Sequence, residues 1–155
     1  MYIDRIVKIK YRMAVKSIFL LTLCLLLTGN LEGKKFGRCE LAKHLVRNGI
    51  PYSYVPTWVC IAYHQSRLDS SFQSPIYNGH REYGIFQISS RYWCSPPGPH
   101  NDCGMSCKAL IDDNLDDDIR CAKKIYARHG FEAWNSWKAH CKGRDLSGFI
   151  NDSNC

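Results

Sequence analysis

The sequence predicts an α+β fold, and three observations carry the prediction. Apolar residues recur at helical spacing near both ends of the chain, a turn signal with a short apolar stretch occupies the middle, and cysteines are spread over the whole of this region. The 155 residues suffice for one domain with a real core. No internal repeat, linker or low-complexity segment divides it.

The N-terminus is not expected to belong to that domain. Residues 17–29 (SIFLLTLCLLLTG) form an apolar run preceded by Lys8, Lys10, Arg12 and Lys16. The run is short for a membrane span, so residues 1–33 read as a secretory signal peptide, with Gly29 and Gly33 as small residues at which cleavage can fall. An uncleaved membrane anchor is the competing reading. Met13 is an alternative start, because Met-Ala-Val-Lys and the run already make a complete signal. Removing residues 1–33 takes away five basic and two acidic side chains and leaves a net charge of +4 rather than +7. A modestly basic secreted protein favours anionic surfaces such as bacterial envelopes, though charge alone identifies no partner. No nucleic-acid partner is expected, no stable membrane insertion once the signal is removed, and the mature protein is expected to be a monomer.

The expected domain runs from 34 to 155. Residues 38–47 place Leu41, Ala42, Leu45 and Val46 on one helical face, with Gly49 positioned to end the helix. Pro51 and Pro56 bracket a loop, and a second helix is expected from about Trp58, with Val59, Ala62 and Tyr63 at helical spacing. Asn78-Gly79 is a hairpin signal, followed by the alternating Ile85-Phe86-Gln87-Ile88. Ser95-Pro-Pro-Gly-Pro99 cannot be regular structure. A short helical turn is expected at 109–111. A longer helix at 119–128 turns Cys121, Ala122, Ile125 and Tyr126 inward, and a last short helix covers 134–142. Asn151-Asp-Ser matches a glycosylation sequon at the extreme C-terminus.

Of nine cysteines, Cys24 lies in the signal. The other eight, Cys39, Cys60, Cys94, Cys103, Cys107, Cys121, Cys141 and Cys155, are an even set behind a signal peptide, which reads as disulfides. Zinc is disfavoured because no CxxC or HExxH occurs and the six histidines are scattered. Spacing alone leaves about 105 connectivities open.

From Lys35 to Cys155 the chain resembles the C-type lysozyme and α-lactalbumin family. The phrases that carry the resemblance are Phe36-Gly-Arg-Cys-Glu-Leu-Ala, Trp58-Val-Cys-Ile-Ala, Tyr83-Gly-Ile-Phe-Gln-Ile, Ser90-Arg-Tyr-Trp-Cys, Cys121-Ala-Lys-Lys-Ile and Ala133-Trp134, with all eight cysteines in order. Ile125-Tyr-Ala-Arg-His and the short C-terminus are similar in texture to insect lysozymes. The resemblance implies a helical lobe and a small antiparallel β-hairpin lobe with a groove between them. It also implies four bridges: Cys39–Cys155, Cys60–Cys141, Cys94–Cys107 and Cys103–Cys121.

A retaining glycosidase needs one carboxyl group to protonate the leaving oxygen and a second, roughly 5–5.5 Å away, to stabilise or attack the sugar cation; lysozyme is the standard example of the pairing. The resemblance puts the acid at the end of the second helix, where this chain has Gln65. A carboxamide has nearly the acid's shape but no proton to give at neutral pH. Losing a general acid costs about 10²–10⁴ in rate. The second carboxylate position holds Glu82 where the family has Asp, and a misplacement of about 1 Å can itself cost roughly 10²-fold. The bland readings are a polar helix-end residue and an exposed hairpin residue. α-Lactalbumin, the family's non-lytic branch, likewise lacks the acid. His64, Asp69 and Glu132 are the neighbouring groups that could substitute, and none has a convincing spacing.

The implied sugar-binding residues are Gln87 and Ser89 on the hairpin side, Tyr92 and Trp93 as stacking surfaces, and the Ala133 backbone with Trp134 on the opposite wall. Ordinary core packing is the alternative for the tryptophans, and Ser89 stands where the family has Asn. The expected function is binding of β-1,4-linked amino-sugar polymers, peptidoglycan or chitin fragments, with weak or lost muramidase activity, in antibacterial defence or a reproductive role. The rivals are an active lysozyme using a substitute acid and an α-lactalbumin-like modifier of a partner enzyme.

Residues 112–118 (DDNLDDD) hold five carboxylates in seven positions, a costly concentration of like charge unless something neutralises it. The central Gly and closing Glu of an EF-hand are absent. The stretch resembles, without gaps between Cys103 and Cys121, the calcium loop of α-lactalbumin and calcium-binding lysozymes. That resemblance implies side-chain ligands from Asp112, Asp117 and Asp118 and carbonyl ligands from Ala109 and Asn114. Oxygen-only donors suit Ca²⁺. The competing reading is acids favoured at a helix N-terminus by about 0.3–1 kcal/mol.

Overall fold

The computed structural model describes residues 34–150 and 155. The expected signal segment 1–33 and the sequon at Asn151 lie outside these residues. Helix α1 (Arg38–Arg47) opens the domain, with Glu40 reaching back to accept the N–H of Gly37 at 3.3 Å. Leu41 and Leu45 are fully buried and Ala42 nearly so, but Val46 is 45% exposed. Its position, one residue past Leu45, turns it about 100° off the buried stripe, so it does not share that face.

Helix α2 (Val55–Ser66) starts at Val55, before the expected Trp58, and Pro56 lies inside it rather than in a loop. In the first turn the missing proline N–H forfeits no helical bond, so proline is tolerated there. Trp58, Val59, Cys60, Ile61 and Ala62 are all buried, which makes α2 the central helix. The Trp58 ring packs edgewise against Phe86, Phe131 and Trp134 at 5.5, 5.2 and 5.0 Å.

The chain turns at Asn78 and Gly79, both with positive φ, beneath a Tyr77–His80 bridge. Strands β1 (Glu82–Tyr83) and β2 (Ile88–Ser89) then pair antiparallel, Glu82 opposite Ser89 and Tyr83 opposite Ile88. The Ile85–Ile88 stretch is not an alternating strand. Ile85, Phe86, Gln87 and Ile88 are all buried, because the connecting turn inserts into the helical lobe. A 3-10 turn at Cys107–Leu110, capped by the Ser106 hydroxyl, covers the expected turn near 109.

Helix α3 (Leu115–His129) begins well before the expected residue 119. The Asn114 side chain accepts the Asp116 N–H at 3.2 Å, and Asp116, Asp117 and Asp118 occupy the first turn, where negative charge suits the helix dipole. Cys121, Ala122 and Ile125 face inward as expected, with Tyr126 partly buried. The last helix is a five-residue π turn (Trp137–Cys141), in which Lys142 donates to Trp137 O at 2.8 Å. The four implied disulfides are all present: Cys39–Cys155, Cys60–Cys141, Cys94–Cys107 and Cys103–Cys121. Each constrains the unfolded chain by about 2–4 kcal/mol.

Gly84 is where the hairpin meets the helical lobe. Its φ is +75°, and a Cβ there would fall 1.9 Å from the Leu110 carbonyl oxygen and 2.7 Å from Asp118 Oδ1. Both the backbone conformation and the close approach demand glycine. Gly84→Ala is expected to destabilise the fold by about 3 kcal/mol, from left-handed strain plus overpacking, read by urea denaturation with disulfides intact. An unchanged midpoint would mean the turn relaxes freely and does not set the lobe contact.

Candidate functional site

Helix α2 ends in a left-handed cap at Arg67, φ 58°, which stops the helix one turn beyond the core and delivers Gln65 to the surface of a groove. The next residue locks that placement. The buried Ser66 hydroxyl reaches Ala62 O within the helix at 3.1 Å and Ile85 O of the hairpin turn at 2.9 Å. Trp134 supplies a second tie across the lobes, donating from Nε1 to Phe86 O at 3.0 Å. The helix end, hairpin and far wall are therefore fixed to one another by buried polar contacts.

The groove encloses about 870 Å³. It brings together all eight residues singled out from the sequence as catalytic positions or sugar contacts: Gln65, Glu82, Gln87, Ser89, Tyr92, Trp93, Ala133 and Trp134. Their local settings differ. The Gln65 carboxamide makes no hydrogen bond among the described residues, and the side chain is half-buried. Glu82 is exposed by surface area but lines the groove, and the partial desolvation it meets there raises its pKa above the ordinary value. The Gln87 side chain donates to Phe72 O at 2.9 Å and Gly84 O at 2.8 Å, so its nitrogen braces the hairpin and only its oxygen is left for a ligand. The Ser89 hydroxyl accepts the Arg91 N–H at 3.2 Å.

The two aromatic surfaces are unequal. Tyr92 is 48% exposed, whereas Trp93 is 8% exposed, with the Arg128 guanidinium 5.0 Å over its ring and His129 against its edge at 5.9 Å. Arg128 also pairs with Asp102, whose backbone oxygen accepts from Lys124. Asp102, Arg128, His100, His129 and Asn135 line the groove without having been singled out from the sequence. No spacing signal marks them: Asp102 reads as a turn residue, and Arg128-His129 read as the basic end of a helix. Their convergence depends on the tertiary fold.

The other groups weighed as substitute acids are spoken for. His64 faces away from the groove and stacks on His140 at 4.2 Å. Asp69 accepts from the Ser71 amide and hydroxyl at 2.9 and 2.6 Å. Glu132 does line the groove but pairs with Lys142 at 2.9 Å and Lys138 at 3.5 Å, which hold its carboxyl below the ordinary range. Asp102 is likewise held low by the Arg128 guanidinium. Glu82 is the one groove carboxyl, among the described residues, without an ion-pair partner and with a raised pKa.

The acidic loop has an unusual member. Asp118 is fully buried, and neither of its carboxylate oxygens has a hydrogen-bond partner. Burial pushes its pKa well up, and the nearby Asp117 and Asp112 carboxylates push the same way. Asp117 is raised for the same reasons, burial foremost. Asp112 Oδ1 accepts the Asn114 N–H at 2.9 Å and Asp117 Oδ1 the Asp118 N–H at 3.2 Å. Among the described residues no three Asp, Glu, His or Cys side chains are already gathered around a common point. The donor chemistry nevertheless fits a hard divalent cation: every donor is oxygen, and the two buried Asp118 oxygens have no hydrogen-bond partner. Asp112, Asp117 and Asp118, with carbonyls of Ala109 and Asn114, are the residues that would hold it.

The comparisons with known proteins agree with this architecture. The model of the C-type lysozyme/α-lactalbumin family matches residues 34–155. Lysozyme c-1 of Anopheles gambiae is 48% identical over 124 residues, covering 80% of this chain and 86% of the relative. A lysozyme of Bombyx mori is 40% identical over 130 residues, 83% of this chain and 94% of its own length. Lysozyme C-1 of Rattus norvegicus is 42% identical over 138 residues, 83% and 92% of the two chains.

Proposed function

The chain belongs to the C-type lysozyme/α-lactalbumin family, and from that premise we propose that it is a secreted, monomeric protein that holds β-1,4-linked amino-sugar polymers in its groove and cleaves them weakly or not at all. The observation that carries this reading is the composition of the groove. A neutral carboxamide, Gln65, faces the cleft together with Glu82, and the remaining groove carboxylates are neutralised by Arg128, Lys138 and Lys142. Such a cleft offers sugars aromatic and hydrogen-bonding surfaces but no second free acid. The basic stretch and apolar run within residues 1–33, which read in sequence as a secretory signal, support secretion, and antibacterial defence is the setting that suits a peptidoglycan or chitin ligand. Among the described residues no helix is long and apolar enough to cross a membrane.

We further propose a structural calcium ion at the acidic loop. Its contribution would be electrostatic, neutralising the buried Asp118 carboxylate that no protein donor reaches. Because the folded state raises this pKa, folded Asp118 holds a proton that the unfolded chain releases above pH about 4. Without metal, stability therefore falls as pH rises from that value, and the whole penalty is present above the folded pKa. A cation bound to the ionised form reverses the trend.

Three outcomes are expected. Turnover on bacterial cell walls should be weak or absent, Gln65→Glu should raise it by about 10²–10⁴, and adding Glu82→Asp should raise it further. Wild-type lysis at ordinary lysozyme rates, unaffected by Gln65→Ala, would overturn the impaired-enzyme reading. Chitooligosaccharides should bind by calorimetry, with Tyr92→Ala weakening affinity roughly 5- to 10-fold and Trp93→Ala less, since Arg128 already covers that ring. If neither substitution matters, or wild type binds nothing, the groove is not a glycan site. Calcium at a hundredfold excess over Kd should add about 2.7 kcal/mol, on the order of 10 °C in Tm at pH 7 against EDTA, and much less near pH 4.5. Asp118→Asn should raise Tm in EDTA at pH 7 and abolish the calcium increment. A wild-type Tm indifferent to EDTA at both pH values would refute the ion.

A further inference from the structure

A second cluster of functional chemistry lies away from the groove, where α1, α2, the π turn and the 3-10 turn Ser147–Phe149 meet. The Arg38 guanidinium lies 4.9 Å from the Tyr63 ring centre and 5.0 Å from that of Phe149, and it donates to Gly148 O at 3.1 Å. Arg67 lies 4.7 Å from the same Tyr63 ring. Beside them His64 and His140 stack with planes 9° apart, and Tyr63 meets the edge of His64 at 5.2 Å. Arg144 is held by a hydrogen bond to Ala139 O at 3.1 Å. None of these side chains lines the groove.

Among the described residues, no carboxylate forms an ion pair with Arg38, Arg67 or Arg144. Asp145, beside Arg144 in sequence, spends its carboxylate on the Ser147 N–H at 2.9 Å. The local field is positive enough to act on His64: burial first, then His140, Arg67, Arg144 and Arg38, pull its pKa below the ordinary value. Like charges gathered without a counter-charge repel, and fixing them on aromatic rings keeps them from dispersing. Stacking uses the face of a guanidinium and leaves its in-plane N–H donors for an acceptor. A phosphate group, with several anionic oxygens suited to the guanidinium fork, answers that arrangement better than a single carboxylate does.

We propose that this surface binds phosphate-bearing anions, with the exposed Arg67 and Arg144 as the main donors and Arg38, His64 and His140 as flanking groups. The anion can be a soluble phosphate chain or a phospholipid headgroup, and the same cations serve either. Binding removes the repulsion among the guanidiniums and favours protonation of His64.

The test is a titration of the mature protein with inorganic pyrophosphate at fixed ionic strength, followed by NMR at the histidine rings and arginine side chains. Saturable shifts are expected at this cluster, and the His64 titration midpoint should move to higher pH. Arg67→Gln and Arg144→Gln should each weaken binding by about 10-fold and together abolish it. Lys43→Gln with Arg47→Gln, elsewhere on α1 and equal in lost charge, should not. Co-sedimentation with phosphatidylglycerol vesicles assigns the source. Vesicle binding lost in the Arg67→Gln/Arg144→Gln protein points to a headgroup, and pyrophosphate binding without it points to a soluble phosphate. The site is refuted if pyrophosphate gives no saturable shift, if chloride at equal ionic strength reproduces the shifts, or if the double variant binds as wild type. Chitooligosaccharide affinity of that variant should stay unchanged, so failure here and failure of the glycan reading are separable.

Discussion

The buried turn from Gly84 to Gln87 is the constraint on which the rest of this molecule depends. It buries the backbone carbonyls of Gly84, Ile85 and Phe86, and each must find a partner there. Ser66 meets Ile85, Trp134 meets Phe86, and the Gln87 side chain closes on Gly84 and Phe72. The absence of a Cβ at Gly84 lets the turn approach Leu110 and Asp118. One short segment thereby connects the end of α2, the far wall of the groove and the acidic loop. The groove's width follows from these ties more than from the two-residue strands themselves.

The same turn explains why so much polar chemistry can be concentrated in a small domain. Most buried polar groups near it are satisfied, so the cost of burial is recovered locally. Trp58 Nε1 and Asp118 are exceptions, and for Asp118 burial and two further aspartates oppose ionisation. In the groove the pattern is reversed. Asp102 and Glu132 are held ionised by basic partners, whereas Glu82 has only the desolvating wall beside it. Paired carboxylates are poor proton donors at neutral pH, and a lone carboxyl opposite a carboxamide makes half of the usual glycosidase pair. In the proposed reading the chemistry of the cleft turns first on Gln65, a carboxamide that faces the groove together with Glu82.

Positive charge has its own geography. On the groove side, Arg128, Lys138 and Lys142 are matched with acids, whereas Arg38, Arg67 and Arg144 cluster on aromatic and imidazole rings. Matched exposed pairs contribute little to stability. Their effect is to cancel charge along the groove, leaving the unmatched cations on a separate surface.

The sequence by itself determined the fold class, the approximate places of the helices and the eight groove residues named as catalytic positions or sugar contacts. Periodicity locates α1 and α3 because one apolar stripe must face a core, and the eight cysteines with their spacing carry the family resemblance that names the four bridges. Gln65 is legible for the same reason: it stands at a fixed distance from Trp58 and Cys60, and chemistry at a single position needs no coordinates. Other features only the tertiary structure decided. Pro56 inside α2, the early start of α3 at Leu115 and the burial of all of Ile85 to Ile88 depend on what each segment packs against, which local pattern cannot encode. Arg128 over Trp93, the commitment of the Gln87 amide to Phe72 O and the Arg38 guanidinium against Tyr63 and Phe149 join residues remote in sequence. The orphaned state of Asp118 is likewise a property of its surroundings, since an aspartate in an acidic run is ordinarily solvated, and only folding removes the water that would have held its charge.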